Sequence, residues 1–67
     1  MKQIGELDIT DNKKLVLSIG EYQGSERIDL RQFVKFNGEY TATKRGINFN
    51  SEWLDKFVEM VDELKEE

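Results

Sequence analysis

At Asn50 the hydrophobic period of this chain changes from two to about 3.6, which limits its fold more than any other feature. Upstream, Leu15, Leu17 and Ile19 alternate with Val16, Ser18 and Gly20, and Ile28, Leu30 and Val34 alternate with Arg27, Asp29, Arg31, Phe33 and Lys35. Downstream, Trp53, Leu54, Phe57, Val58, Met60, Val61 and Leu64 fall on one arc of roughly 160° at 100° per residue, and the other positions are almost all charged. Asp11-Asn12, Gln23-Gly24-Ser25 and Asn37-Gly38 punctuate the alternating part, and Asn-Gly is the strongest short hairpin signal. The pattern predicts strands over about residues 2–10, 14–22, 26–36 and 39–48, with a bulge or close approach at Gly46, and a helix over about 51–65 capped by Asn50 or Ser51. The expected fold is therefore α+β, a single domain over 1–67 with a curved four-stranded antiparallel meander followed by one C-terminal helix.

A chain of 67 residues buries only about 60% of its unfolded surface, so its core is marginal. Small domains are commonly reinforced by disulfides, a metal or a second copy. Cysteine and histidine are both absent, which excludes disulfides and thiolate sites and removes the commonest metal ligand and general base. Oligomerisation remains. The helical stripe is also wider than one small sheet requires, so Trp53, Phe57, Met60, Val61 and Leu64 are assigned to the core and a homodimer interface. A monomer whose helix lies deep in a curved sheet is the competing arrangement.

The net charge of −4 argues against a nucleic-acid partner only until its distribution is considered. Residues 50–67 carry seven acids against Lys56 and Lys65, whereas residues 26–49 carry Arg27, Arg31, Lys35, Lys44 and Arg45 against three acids. On the third strand, Arg27, Arg31, Phe33 and Lys35 share the face opposite the apolar set; Tyr40, Lys44 and Arg45 extend that surface across the turn, with Phe36 at its rim. Cations interleaved with aromatic rings suit single-stranded nucleic acid, because phosphates need positive charge while unpaired bases expose π-faces for stacking. Duplex DNA hides those faces, and no basic helix is available to read a major groove. The alternative assigns Phe33 to an interface and pairs the cations with Glu26, Asp29 and Glu39, which makes the protein a dimeric protein–protein interaction adaptor.

Two segments carry a family resemblance. Ile28-Asp29-Leu30-Arg31-Gln32-Phe33, and then Lys44-Arg45-Gly46-Ile47-Asn48-Phe49-Asn50 with the nearby Trp53, resemble the signature of the positive cofactor four family of transcriptional coactivators. The likeness is good over about residues 26–64 and general in the first two strands. It implies a homodimer with DNA on the sheet surface, and sequence-independent binding of single strands or melted duplex in transcription, replication or repair. By position it implies DNA-binding roles for Arg31, Phe33, Lys44 and Arg45; Lys13, Lys14 and Tyr22 are weaker candidates early in the sheet. Asn48 replaces the family's usual Ser or Thr, and Val34 stands where some members have a stacking tryptophan, departures that imply a weaker hold on DNA. The absence of a Ser-rich regulatory tail implies a minimal prokaryotic or viral form.

Catalysis is not expected. The carboxylate pairs Asp55/Glu59, Glu59/Glu63 and Asp62/Glu66 lie on the polar side of the helix, where a solvated face is their ordinary role, and no serine has a histidine to activate it. The glycines form no phosphate-binding loop, and neither a cofactor nor a metal is expected. With no apolar run long enough for a membrane span and no leader pattern at the N-terminus, the expected setting is intracellular: cytoplasmic or nucleoid in a prokaryote, nuclear in a eukaryote. Expected partners are single-stranded DNA (melted duplex and RNA are not separated from it), a second copy, and transcription or replication proteins.

Overall fold

The computed structural model describes residues Met1–Glu67. Four strands, β1 (Lys2–Thr10), β2 (Lys13–Tyr22), β3 (Ser25–Phe36) and β4 (Glu39–Asn50), form one antiparallel sheet in the order β1-β2-β3-β4. A single 3₁₀ turn, Ser51–Trp53, leads into the helix α1 (Leu54–Lys65). The expected meander and helix are both present, and β4 runs on directly to the helix-capping residue.

All three strand connections are two residues long. Gln23-Gly24 and Asn37-Gly38 both hold positive φ at their two central positions (52° and 79°, 53° and 83°), the type I′ geometry whose twist matches the strands it joins. Ser25 therefore belongs to β3, opposite Tyr22, and not to the turn. At the first turn the Thr10 hydroxyl accepts from the Asn12 N–H at 3.2 Å. Asn50 caps the helical segment, its side-chain oxygen accepting from the Glu52 N–H at 2.9 Å.

Because partners in register point to the same side, the ladder defines two faces. One carries Ile19–Ile28–Phe49, then Leu17–Leu30–Ile47, then Leu7–Leu15. The other carries Gly20–Arg27–Asn50, Ser18–Asp29–Asn48, Glu6–Val16–Arg31–Gly46, Asp8–Lys14–Phe33–Ala42 and Lys35–Tyr40.

The helix leaves the apolar face largely uncovered, so Trp53, Phe57, Met60, Val61 and Leu64, assigned to the core and a dimer interface, form no core within the single chain. Phe57 stacks on Phe49 with ring centroids 5.4 Å apart, but no residue of α1 is buried. The helix does not lie deep in its own sheet, as the competing monomeric arrangement requires. Leu7, Leu17, Ile47, Trp53, Met60, Val61 and Leu64 all remain exposed. The chain has a radius of gyration of 13.4 Å, against about 11 Å for a compact domain of its length. Its surface of 5639 Å² compares with about 4,400 Å² for a folded monomer of its mass.

Candidate nucleic-acid interface

The polar face is built in rows. In the central row Phe33 lies between Lys14 of β2 and Ala42 of β4; in the next, Lys35 faces Tyr40. The Lys14 ammonium sits 4.4 Å from the centre of the Tyr40 ring and that of Lys35 sits 6.0 Å away, within range of a cation–π attraction. Tyr40 is anchored at its far end, its hydroxyl donating to the Asp11 carbonyl at 3.3 Å, and the Lys35 N–H donates to the Asn12 carbonyl at 2.7 Å. The β1–β2 turn is thereby tied to the β3–β4 end of the sheet, which gathers two aromatic rings and two lysines into one patch.

Not all the cations are free. Arg31 grips Asp29 with two nitrogens, Nη2 to Oδ1 at 2.9 Å and Nε to Oδ2 at 3.2 Å, and donates from Nη1 to the Thr43 carbonyl at 2.7 Å. Asp29 is only 7% exposed, and its second acid-side partner is the Asn48 amide at 3.4 Å. The Arg31 hydrogen bonds hold the Asp29 carboxyl below the usual range despite burial, and Asp29 in turn raises the Arg31 guanidinium. Arg27 donates from Nε to the Asn48 side-chain oxygen at 2.7 Å. Lys14 pairs with Glu6 at 2.8 Å, which, with a hydrogen bond from Gln3, lowers the Glu6 carboxyl. Lys35, Lys44 and Arg45 take part in none of the three ion pairs, the last being Lys56–Glu59 on the helix.

The structure therefore brings together Arg31, Phe33, Lys35, Tyr40 and Lys14, and holds Lys44 and Arg45 in an exposed bulge of β4 beside them. Arg27 and Tyr22 share the face but stand at its far end, where with Met1, Gly20, Glu21 and Asn48 they line a shallow cavity. Phe36 and Lys13 do not join the patch: each has the opposite parity to its neighbour, Lys35 or Lys14, and pairs with Glu39 or Val34 on the other face. Sequence reasoning missed Thr43, Asn48 as a bonding hub, and Glu6 as the partner of Lys14. Only Asn48 stood inside a quoted motif, and nothing local marks the other two.

On the apolar side, Ile47, Phe49, Trp53, Phe57 and Met60 line an open groove of about 520 Å³. Leu7, Leu15, Leu17 and Leu30 line a second trough across β1, β2 and β3. No three carboxylates converge as a metal site would need, and no helix is long and apolar enough to cross a membrane.

Residues 9–60 match the family described as transcriptional coactivator p15 (PC4). The chain belongs to this family. Among solved structures it is similar to a PC4 homologue of Burkholderia pseudomallei. In an orthorhombic crystal form of that protein the TM-score is 0.91 at 22% identity, covering 98% of this chain and 90% of the homologue. In its tetragonal form the TM-score is 0.85 at 22% identity, with 96% of each chain covered. A bacteriophage T5 homologue of PC4, implicated in recombination-dependent DNA replication, superposes with a TM-score of 0.64 at 21% identity, covering 96% of this chain and 80% of that one. No curated protein sequence matches significantly. The PC4 fold is thus shared over nearly the whole chain, and the resemblance seen in the sequence is a family relationship.

Proposed function

We propose that this PC4-family protein binds single-stranded DNA without sequence preference, as a homodimer, in transcription, replication or repair. One observation carries the reading: Phe33 and Tyr40 lie on one sheet face among Lys14, Lys35 and the cationic bulge of β4. Rings offer stacking surfaces to unpaired bases and the lysines offer charge to the phosphates, a combination that duplex DNA cannot use. The replication role of the T5 homologue agrees with this.

The other face supports the dimer. Exposed surface exceeds that of a compact monomer by roughly 1,200 Å², comparable with the roughly 800 Å² each partner contributes to a standard interface. The groove beside Trp53 and the trough beside Leu7 lie on one side of the sheet, so a second copy can cover both while leaving the polar face open.

The test is fluorescence anisotropy of labelled oligo-dT at two salt concentrations, with a duplex of equal length alongside. Phosphate contacts release counterions, so single-strand affinity is expected to fall steeply with salt and to exceed that for duplex. Absence of binding at low salt would overturn the reading and favour a dimeric protein–protein adaptor.

A further inference from the structure

Between Arg31 and Phe33, β3 has a single residue, Gln32, whereas β4 has three, Thr43, Lys44 and Arg45, between their partners Gly46 and Ala42. Two extra residues must leave the ladder there, and two of the three, Lys44 and Arg45, are cations that face solvent without an ion pair. An unrestrained excursion of this kind would spread those charges over many conformations, and ordering them on a ligand would cost entropy.

The excursion is restrained, and Thr43 is where the restraints meet. Its hydroxyl donates to the Gln32 carbonyl at 2.7 Å and accepts from the Arg45 N–H at 3.1 Å. Its carbonyl accepts from Arg31 Nη1 at 2.7 Å, and Arg31 is itself fixed by the two bonds to Asp29. One hydroxyl has one hydrogen to give and lone pairs to receive, so both of its bonds form together. On the far side Gly46 rejoins the ladder so closely that a Cβ would stand 2.7 Å from the Leu30 carbonyl oxygen and 2.9 Å from Arg31 Cα. The bulge is clamped at both ends.

We propose that Thr43 is a positioning residue for nucleic-acid binding: with Arg31 it sets the shape of the β4 bulge and so presents Lys44 and Arg45 to the phosphate backbone. The proposal rests on the single-strand-binding function proposed above. It gives Thr43 no contact with DNA; the hydroxyl acts through the two cations that follow it.

The experiment compares Thr43→Val, which keeps shape and β-branching but removes the hydroxyl, with Thr43→Ser, which restores it. Amide hydrogen exchange at Arg45 is measured in the free protein, and oligo-dT affinity in the native and Lys44→Ala/Arg45→Ala backgrounds. Thr43→Val is expected to speed Arg45 exchange about tenfold and weaken oligo-dT binding roughly three- to tenfold, as loss of a single net hydrogen bond predicts. Thr43→Ser is expected to stay near native in both. In the background lacking both cations, Thr43→Val is expected to cost nothing further. An Arg45 amide indifferent to Thr43→Val overturns the clamp, and an equal binding loss in both backgrounds overturns its link to the cations. A native protein that binds no oligo-dT overturns the functional reading instead, and the exchange measurement, which needs no DNA, separates that failure from a failure of the clamp.

Discussion

The two faces of this sheet are finished to different degrees. The polar face carries more of its own internal bonding: Val16 and Asp29, at 2% and 7% exposure, are buried on it, and Arg27, Arg31, Asn48 and Thr43 are linked by hydrogen bonds. The apolar face buries only Ile28 and Phe49 and leaves Leu7, Ile47, Trp53 and Met60 open. Hydrophobicity alone would predict the reverse. The difference teaches that the polar side is organised within one chain, while the apolar side is left largely uncovered by it.

The largest expected effect breaks the comparison at the helix. Met60 is 54% exposed in the single chain, so Met60→Glu in a monomer should change stability by no more than about 0.5 kcal/mol. If a second copy covers that face, the same change buries an unpaired carboxylate and should cost about 3 kcal/mol or more, dissociating the dimer. Sedimentation with a thermal melt decides between them, and an unchanged melting temperature would remove the dimer from the reading.

The next effect lies at the centre of the polar face. Phe33→Ala should weaken oligo-dT binding by about 1–3 kcal/mol with the dimer intact, as loss of one stacked base predicts. Equal affinity in the variant would assign Phe33 a packing role only. A smaller and more selective change separates free cations from tied ones. Lys35→Ala should reduce the salt dependence of binding by about 0.7 in the log–log slope while leaving the melting temperature unaltered. Arg31→Ala should lower the melting temperature as well, because Asp29 then loses its main partner. Equal melting temperatures for the two variants would show the Arg31 bonds to be dispensable.

The sheet was legible in the sequence because alternation runs through β2 and β3, interrupted only by a few residues such as Val16 and Gln32, and its turns use residues that accept positive φ. The outward row Arg27, Asp29, Arg31, Phe33 and Lys35 follows from parity within one unbulged stretch of the β2–β3 ladder. Parity fails at β4, where two extra residues enter, so Gly46 signals a close approach but not how many residues the bulge contains. Pairings across strands, such as Lys14 with Glu6 or Arg27 with Asn48, depend on register and rotamer and leave no local trace. The helix was legible as an amphipathic segment, but its stripe is equally compatible with its own sheet or a partner's; only three-dimensional placement shows that its own sheet leaves it uncovered.

The smallest effect tests whether the polar face is held by charge. Asp29 has its carboxyl lowered chiefly by hydrogen bonds from Arg31, so the folded state binds its proton more weakly than the unfolded state does. Its contribution to stability is therefore fully present above the ordinary aspartate value of about 4 and is lost as pH falls through the lower folded value. Glu6 is lowered in the same sense by Lys14, but its side chain is 44% exposed and solvent screens the pair, so its share is the lesser one. Melting temperatures measured from pH 6 down to pH 2 should fall on the acid side, and Asp29→Asn should start lower and fall less steeply. Parallel curves for the two proteins would mean that geometry, not charge, holds Arg31 in place, and the organisation of the polar face would then rest on its neutral hydrogen bonds through Thr43 and Asn48.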